Sequence, residues 1–152
     1  MNKGVKPAFL HLINLHSSMN KIEHIGIAVK NMEVSCNLYE KLLGKSHYKQ
    51  ELVDSESVNT AFFKVGDQKV ELLSATNDDS AIAKFIQKKG EGIHHIAFEV
   101  ADILVEMKRL KQEGFTLINE VPKIGADNKL VCFVHPKTAG GILVELCQEI
   151  KI

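Results

Sequence analysis

The chain has 152 residues, a length that fits one compact domain or two small modules sharing a core. Hydrophobic residues make up 45% and charged residues 25%, and Lys plus Arg match Asp plus Glu at 19 each, so no net charge draws the chain to nucleic acid or to an anionic membrane. No apolar stretch approaches the roughly 20 residues needed to span a bilayer, and the three cysteines (Cys36, Cys132 and Cys147), odd in number and without a CxxC pattern, read as reduced thiols of a cytoplasmic protein.

Residues 1–18 stand apart from the rest. The run Phe9-Leu10-His11-Leu12-Ile13-Asn14-Leu15 is short and interrupted, unlike the clean apolar core of a signal peptide, and the stretch lacks the arginines of a mitochondrial presequence. It reads as an upstream extension or a leftover of cloning, poorly ordered, with a single domain occupying 19–152. Residues 22–29 alternate and are rich in β-branched side chains, which predicts a strand. Asn31 caps a helix whose apolar stripe is Leu38, Tyr39, Leu42 and Leu43, and Gly44 ends it. Strands follow at 46–52, 60–65 and 68–74, with a polar loop over 53–59 and a turn at Gly66-Asp67. The first module, 21–75, is therefore βαβββ. A linker helix over 79–89 is capped by Ser80 or Asp79, buries Ile82, Phe85 and Ile86, and stops at Gly90. The second module, 92–149, repeats the order: a strand at 94–100, a helix capped by Asp102 with Ile103, Met107 and Leu110 on one face, a stop at Gly114, and strands at 115–119, 130–135 and 142–148, with a loop over 122–128.

The two modules share two phrases. His24-Ile25-Gly26-Ile27-Ala28-Val29 matches His95-Ile96-Ala97-Phe98-Glu99-Val100, and Val70-Glu71-Leu72-Leu73 matches Val144-Glu145-Leu146. Side chains alternate across a strand, so His24 shares a face with Gly26 and Ala28, and His95 with Ala97; small neighbours leave room beside each imidazole. Glu71 and Glu145 sit within apolar strands, where a buried carboxylate is costly unless a metal, a cation or hydrogen bonds compensate it. A strand histidine or glutamate taken singly is most often structural or solvated. All four in matching positions predict convergence on a pseudo-two-fold axis, where two imidazoles and two carboxylates serve one divalent cation with positions open for substrate. Alternation sends His94 to the opposite face from His95, as a structural residue, while His135 ends a strand near the pocket mouth and His11, His16 and His47 carry no usable signal.

At these residues the chain resembles the vicinal oxygen chelate superfamily of glyoxalases, bleomycin resistance proteins and dioxygenases, and within it the methylmalonyl-CoA epimerases. The motifs that carry the resemblance are His24-Ile-Gly-Ile-Ala-Val, Val70-Glu-Leu-Leu, Ser80-Ala-Ile-Ala-Lys-Phe-Ile, Gly90-Glu-Gly-Ile-His-His-Ile-Ala-Phe-Glu-Val, and His135-Pro-Lys followed by Gly140-Gly-Ile-Leu-Val-Glu-Leu-Cys-Gln, and it covers residues 21–149. The resemblance implies an α+β fold in which two tandem βαβββ modules form a glyoxalase-like half-barrel around a metal site. It implies metal ligands at His24, Glu71, His95 and Glu145, with cobalt, nickel, manganese or zinc as the ion, an acyl-CoA substrate and a homodimer. The implied reaction inverts the carbon between the carboxylate and thioester of methylmalonyl-CoA through an enolate, with Glu145 as a proton-transfer group. Some epimerases offer a glutamate on the third strand of the first module; here that position is Thr60, beside Asn59, so the second acid/base is Glu71, a water, or absent, while Glu51 and Glu56 are acids in an unfixed register. Lys129 and Lys137 are candidates for CoA phosphates, against the plainer reading of solvated loop lysines. The runner-up is a lactoylglutathione lyase, which would want arginines for glutathione; Arg109 is the only arginine and is expected to face solvent from its helix. An extradiol dioxygenase would be larger, and a non-catalytic small-molecule-binding member of the superfamily would not need all four ligands.

Overall fold

The computed structural model describes residues 18–152. The predicted extension, except for Ser18, lies outside the described residues. Ser18 itself is held: its carbonyl accepts from Ala101 N–H, and its N–H and hydroxyl donate to Glu106. The elements are β1 (Met19–Ala28), α1 (Met32–Leu43), β2 (Lys49–Val53), β3 (Val58–Val65), β4 (Gln68–Ala75), α2 (Ala81–Lys89), β5 (Gly92–Val100), α3 (Ile103–Gln112), β6 (Lys123–Ile124), β7 (Lys129–Val134) and β8 (Val144–Glu149). Short 3-10 turns occupy Asp54–Glu56, Ala126–Asn128 and Pro136–Thr138. No helix among the described residues is long and apolar enough to cross a membrane.

All eight strands join one mixed sheet in the order β2-β3-β4-β1-β5-β8-β7-β6. The order is symmetric about the antiparallel β1–β5 pair: β4 runs parallel to β1 on one side, and β8 runs parallel to β5 on the other. The sheet curls into a half-barrel, the α+β fold expected from the repeat. Helices α1 and α3 cover its convex face. Val29, Met32, Cys36, Ala61, Phe63 and Leu72 form a core under α1, and Val100, Ile103, Met107, Leu110, Cys132 and Leu146 form its counterpart under α3. Burying each of the Val, Leu, Ile, Phe and Met side chains contributes about 1.5–3 kcal/mol, which holds the helices on the sheet. Alternation then fixes the other face. With Leu72 packed beneath α1 and Leu146 beneath α3, Glu71 and Glu145 turn to the concave side.

The caps follow the sequence. Asn31 Oδ1 accepts from Val34 N–H, Ser80 Oγ accepts from Ile82 and Ala83 N–H, and Asp102 Oδ1 accepts from Leu104 and Val105 N–H, each contributing about 1 kcal/mol. Three expectations need correction. In α1 the packed stripe is Met32, Cys36, Tyr39 and Leu43, whereas Leu38 and Leu42 are rotated outward and are 61% and 70% exposed. Residues 115–119 do not form a strand: only an isolated bridge joins Leu117 to Val134, because the Asn119 side chain takes the Phe133 N–H that a strand carbonyl would need. The outer strand of that module is instead the two-residue β6, inside the expected loop. Arg109 is only partly in solvent, 18% exposed. It is ion-paired to the fully buried Glu106, one turn away on α3.

Candidate functional site

The concave face holds a cavity of about 330 Å³, and all four side chains singled out by the repeat line it. His24 and His95 come from β1 and β5 at the centre of the sheet, and Glu71 and Glu145 from the flanking strands β4 and β8. The register seats each imidazole over a small residue of the neighbouring strand: Ala97 faces His24 and Gly26 faces His95. At Gly26 the fit is so close that a Cβ would overlap the His95 ring.

The four groups meet. The Nε2 atoms of His24 and His95 lie 3.0 Å apart. Glu71 Oε2 is 3.1 Å from His24 Nε2 and 3.5 Å from His95 Nε2, while Glu145 Oε2 is 3.2 Å from His95 Nε2 and 3.8 Å from His24 Nε2. All four residues are at most 6% exposed, so their charges are scarcely screened by water. The ligand atoms of His24, His95 and Glu145 lie within 4.8 Å of one another. Because β4 and β8 flank the β1–β5 pair, the two carboxylates approach the imidazoles from opposite sides.

Burial alone would raise the Glu71 carboxyl pKa, but the charge and hydrogen bonds of the two imidazoles outweigh it and lower the value to about 2. Burial alone would likewise lower His95, yet hydrogen bonds and charge from Glu145 and Glu71 raise it to about 9. His24 is raised well above its ordinary value, against its burial, by the charges of Glu71 and Glu145 and by Glu23. The site is a demand for positive charge, met by imidazolium where no other cation is bound.

Two further side chains join this cluster, against expectation for His94 and without any expectation for Glu23. Along β1 and β5 the pairing steps unevenly: Ile22 faces Phe98 while His24 faces Ala97, and Gly26 faces His95 while Ile27 faces Ile93. Glu23 and His94 are thus the extra residues of two β-bulges, and a bulge breaks the alternation that would have sent them to the convex face. Glu23 lines the cavity, pairs with His24 Nδ1 and holds Lys69. His94 lines it too, with its Nδ1 3.0 Å from His95 Nδ1 and its ring edge-on to Phe85 at 5.0 Å. Burial and the nearby charge of His95 lower His94 to about 4, which keeps it a neutral imidazole. A histidine or acid directly before each repeated histidine was the only signal in the sequence, and alternation argued against it.

The remaining candidates separate cleanly. Thr60 borders the cavity, but its hydroxyl donates to Glu51 O at 3.1 Å. Glu56 is in the cavity wall and paired with Lys123; Glu51 points away to Lys49 and to the Asp127 N–H. Lys129 reaches the wall. His135 and Lys137 are not among its lining residues, because His135 Nδ1 turns back to accept from Lys137 N–H as the cap of the Pro136–Thr138 turn. His47 pairs with Glu40 outside the cavity. Opposite α2, the turn at Ala126–Asn128 closes over the rim, with Asp127 bound to Lys69 at 2.7 Å and Lys49 at 3.2 Å.

Comparison with known proteins gives the same answer as the fold. The sequence profile of the Glyoxalase/Bleomycin resistance protein/Dioxygenase superfamily matches residues 23–133. The mitochondrial methylmalonyl-CoA epimerase of Homo sapiens is 38% identical over 132 residues, which span 86% of this chain and 75% of that protein. The crystal structure of methylmalonyl-CoA epimerase from Mycobacterium tuberculosis superposes with a TM-score of 0.86 at 32% identity, covering 90% of this chain and 92% of the other. A variant of the Streptomyces coelicolor methylmalonyl-CoA epimerase, in complex with 2-nitronate-propionyl-CoA, has a TM-score of 0.86 at 30% identity and covers 89% and 98%.

Proposed function

Because the chain belongs to the glyoxalase/bleomycin resistance protein/dioxygenase superfamily, and within it to the methylmalonyl-CoA epimerases, we propose that it is a metal-dependent epimerase. It inverts the carbon between the carboxylate and the thioester of methylmalonyl-CoA through an enolate. The observation that carries this reading is the buried meeting of two imidazoles and two carboxylates on one cavity that the apolar side chains of Val53, Phe62, Leu73, Ile82 and Phe133 also line. The Streptomyces coelicolor relative with its bound acyl-CoA supports a CoA thioester as the ligand.

The donor set suits a divalent cation. Two carboxylates face two imidazoles that they keep protonated, and a cation held by His24, Glu71, His95 and Glu145 would supply that positive charge instead. Cobalt, nickel, manganese and zinc all accept such ligands. When bound, the ion offsets the negative charge that grows on the substrate's carboxylate and thioester oxygens as the carbon between them loses its proton.

The chain's own residues handle the protons. Glu145 on β8 takes the proton from one face of the carbon. On the other side of the imidazole pair, a water held by the ionised Glu71 on β4 gives a proton to the opposite face, and the proton taken up by Glu145 passes through solvent to restore that water. Thr60 takes no part, since its hydroxyl has no useful basicity and is committed to Glu51 O. The apolar walls keep bulk water from the reacting carbon. Of the two lysines considered for CoA phosphates, Lys129 is the one beside the cavity. The protein works as a homodimer, and its three free, buried cysteines accord with the reducing cytoplasm.

A lactoylglutathione lyase would need partners for the carboxylates of glutathione, and the single arginine is committed to Glu106. The two are separated by giving the cobalt-loaded protein one stereoisomer of methylmalonyl-CoA, and in parallel methylglyoxal with glutathione. The expected result is racemisation of the thioester at the 2-carbon and no turnover of the hemithioacetal. Turnover of the hemithioacetal alone would replace this reading with the lyase.

A further inference from the structure

We propose that Glu23 and His94 are positioning residues: twin β-bulges turn the residue before each ligand histidine onto the concave face, where it engages that histidine's Nδ1 and aims its Nε2 into the site. This inference rests on the metal-site reading above. It concerns two residues outside the repeated ligand set and explains why the two central strands are irregular at matching places.

In a regular strand, residues 23 and 24 would point to opposite faces, as would 94 and 95. The β1–β5 register shifts three times, once at Met19/Lys21 at the start of β1 and then twice beside the histidines. Between Ile22–Phe98 and His24–Ala97, β1 advances two residues and β5 one; between Gly26–His95 and Ile27–Ile93, β5 advances two and β1 one. These two bulges, unlike the shift at Met19/Lys21, fall immediately before the repeated histidines, one in each module. An extra residue costs a broken rung of the ladder, and bulges at such places re-aim a side chain. Here the re-aimed side chains are both polar and both go to the same kind of atom. Glu23 meets His24 Nδ1, and His94 Nδ1 meets His95 Nδ1 at 3.0 Å.

The chemistry of imidazole makes this contact consequential. A neutral ring offers one lone pair, and the partner of the other nitrogen decides which. A carboxylate can only accept, so Glu23 holds the His24 proton on Nδ1 and leaves Nε2 for the cluster, 3.0 Å from its counterpart on His95. With its Nε2 given to the cluster, His95 carries its proton on Nδ1, and His94 Nδ1, 3.0 Å away, is the acceptor in reach, its ring edge-on to Phe85 at 5.0 Å. Lys69, which binds Glu23 on one side and Asp127 on the other, holds the carboxylate in turn. Both ligand rings are thereby fixed in tautomer and tilt by neighbours outside the four-residue ligand set.

The test measures Co2+ affinity by competition with a chromophoric chelator for the wild type, Glu23→Leu, Glu23→Gln, His94→Phe and His94→Gln, with thermal melts of each metal-free variant to establish folding. Leu and Phe remove the acceptor, whereas Gln keeps an amide oxygen that can accept from Nδ1–H. The expected result is a loss of about 10–100-fold for Glu23→Leu and His94→Phe, the usual range for such outer partners, with most of it recovered in the two Gln variants. In the zinc-loaded wild type, proton NMR should show slowly exchanging downfield Nδ1–H signals from His24 and His95. The matching signal should be lost in the Leu or Phe variant and kept in the Gln variant. Folded Leu and Phe variants that bind within threefold of the wild type overturn the proposal, as do Gln variants as weak as they are, which would assign the effect to charge or bulk. Should Glu23→Leu not fold, the two Gln variants and His94→Phe decide by the same criteria. A wild-type protein that binds no Co2+ fails differently: it removes the metal-site reading and this inference with it.

Discussion

A β-carbon at position 26 would overlap the His95 ring, so glycine there is a requirement of the site and not of backbone geometry. Gly26→Ala must either push His95 out of line or strain the β1–β5 pairing; the expected cost is about 1–3 kcal/mol, as for other overpacked sites, read as a lower urea midpoint of the metal-free protein. An unchanged midpoint would mean that His95 is free to move and that the close seat is unimportant. At this scale the site was largely legible from the chain. The internal repeat placed His24 against His95 and Glu71 against Glu145, and the small residues beside each histidine pointed to the space the rings occupy. What could not be read was any side chain whose direction depends on a bulge. Strict alternation put His94 on the wrong face and passed over Glu23, since a polar residue before a histidine does not by itself announce an extra residue in a ladder.

Among the elements, α1 shows where periodicity alone misleads. Two apolar stripes run along it at helical spacing: Met32, Cys36, Tyr39 and Leu43 meet the sheet, and Val34, Leu38 and Leu42, 64%, 61% and 70% exposed, form a second row on the outer side. Reading the sequence merged part of each into one face. The outer row is apolar surface of the kind that association covers, and it supports the proposed homodimer. Sedimentation at micromolar concentration is expected to show a dimer for the wild type and a shift toward monomer for Leu38→Glu. A monomeric wild type contradicts pairing, and a dimer indifferent to Leu38→Glu moves the interface off this helix. The second module's missing strand was equally illegible, because residues 115–119 have strand composition and are diverted by one side-chain amide, Asn119, bonding to Phe133 N–H.

For the whole molecule, the decisive feature is that two copies of one supersecondary unit meet along β1 and β5 and so place one histidine and one glutamate from each on a shared concave face. Helices α1 and α3 bury the other face, while the turn at Ala126–Asn128, tied by Asp127 to Lys49 and Lys69, joins the far edge of the second module back to the first at the rim. In the proposed mechanism the opposed carboxylates serve an inversion, in which a proton leaves one face of a carbon and another returns to the opposite face. The most direct measurement is hydrogen–deuterium exchange at the 2-carbon of methylmalonyl-CoA in deuterated water, with the metal-loaded wild type and with Glu145→Gln. The proposed mechanism gives metal-dependent exchange accompanied by inversion in the wild type, and a loss of both by at least about 100-fold in the variant, the scale of a lost general acid/base. No exchange from a folded, metal-loaded wild type, or undiminished exchange in Glu145→Gln, would contradict it.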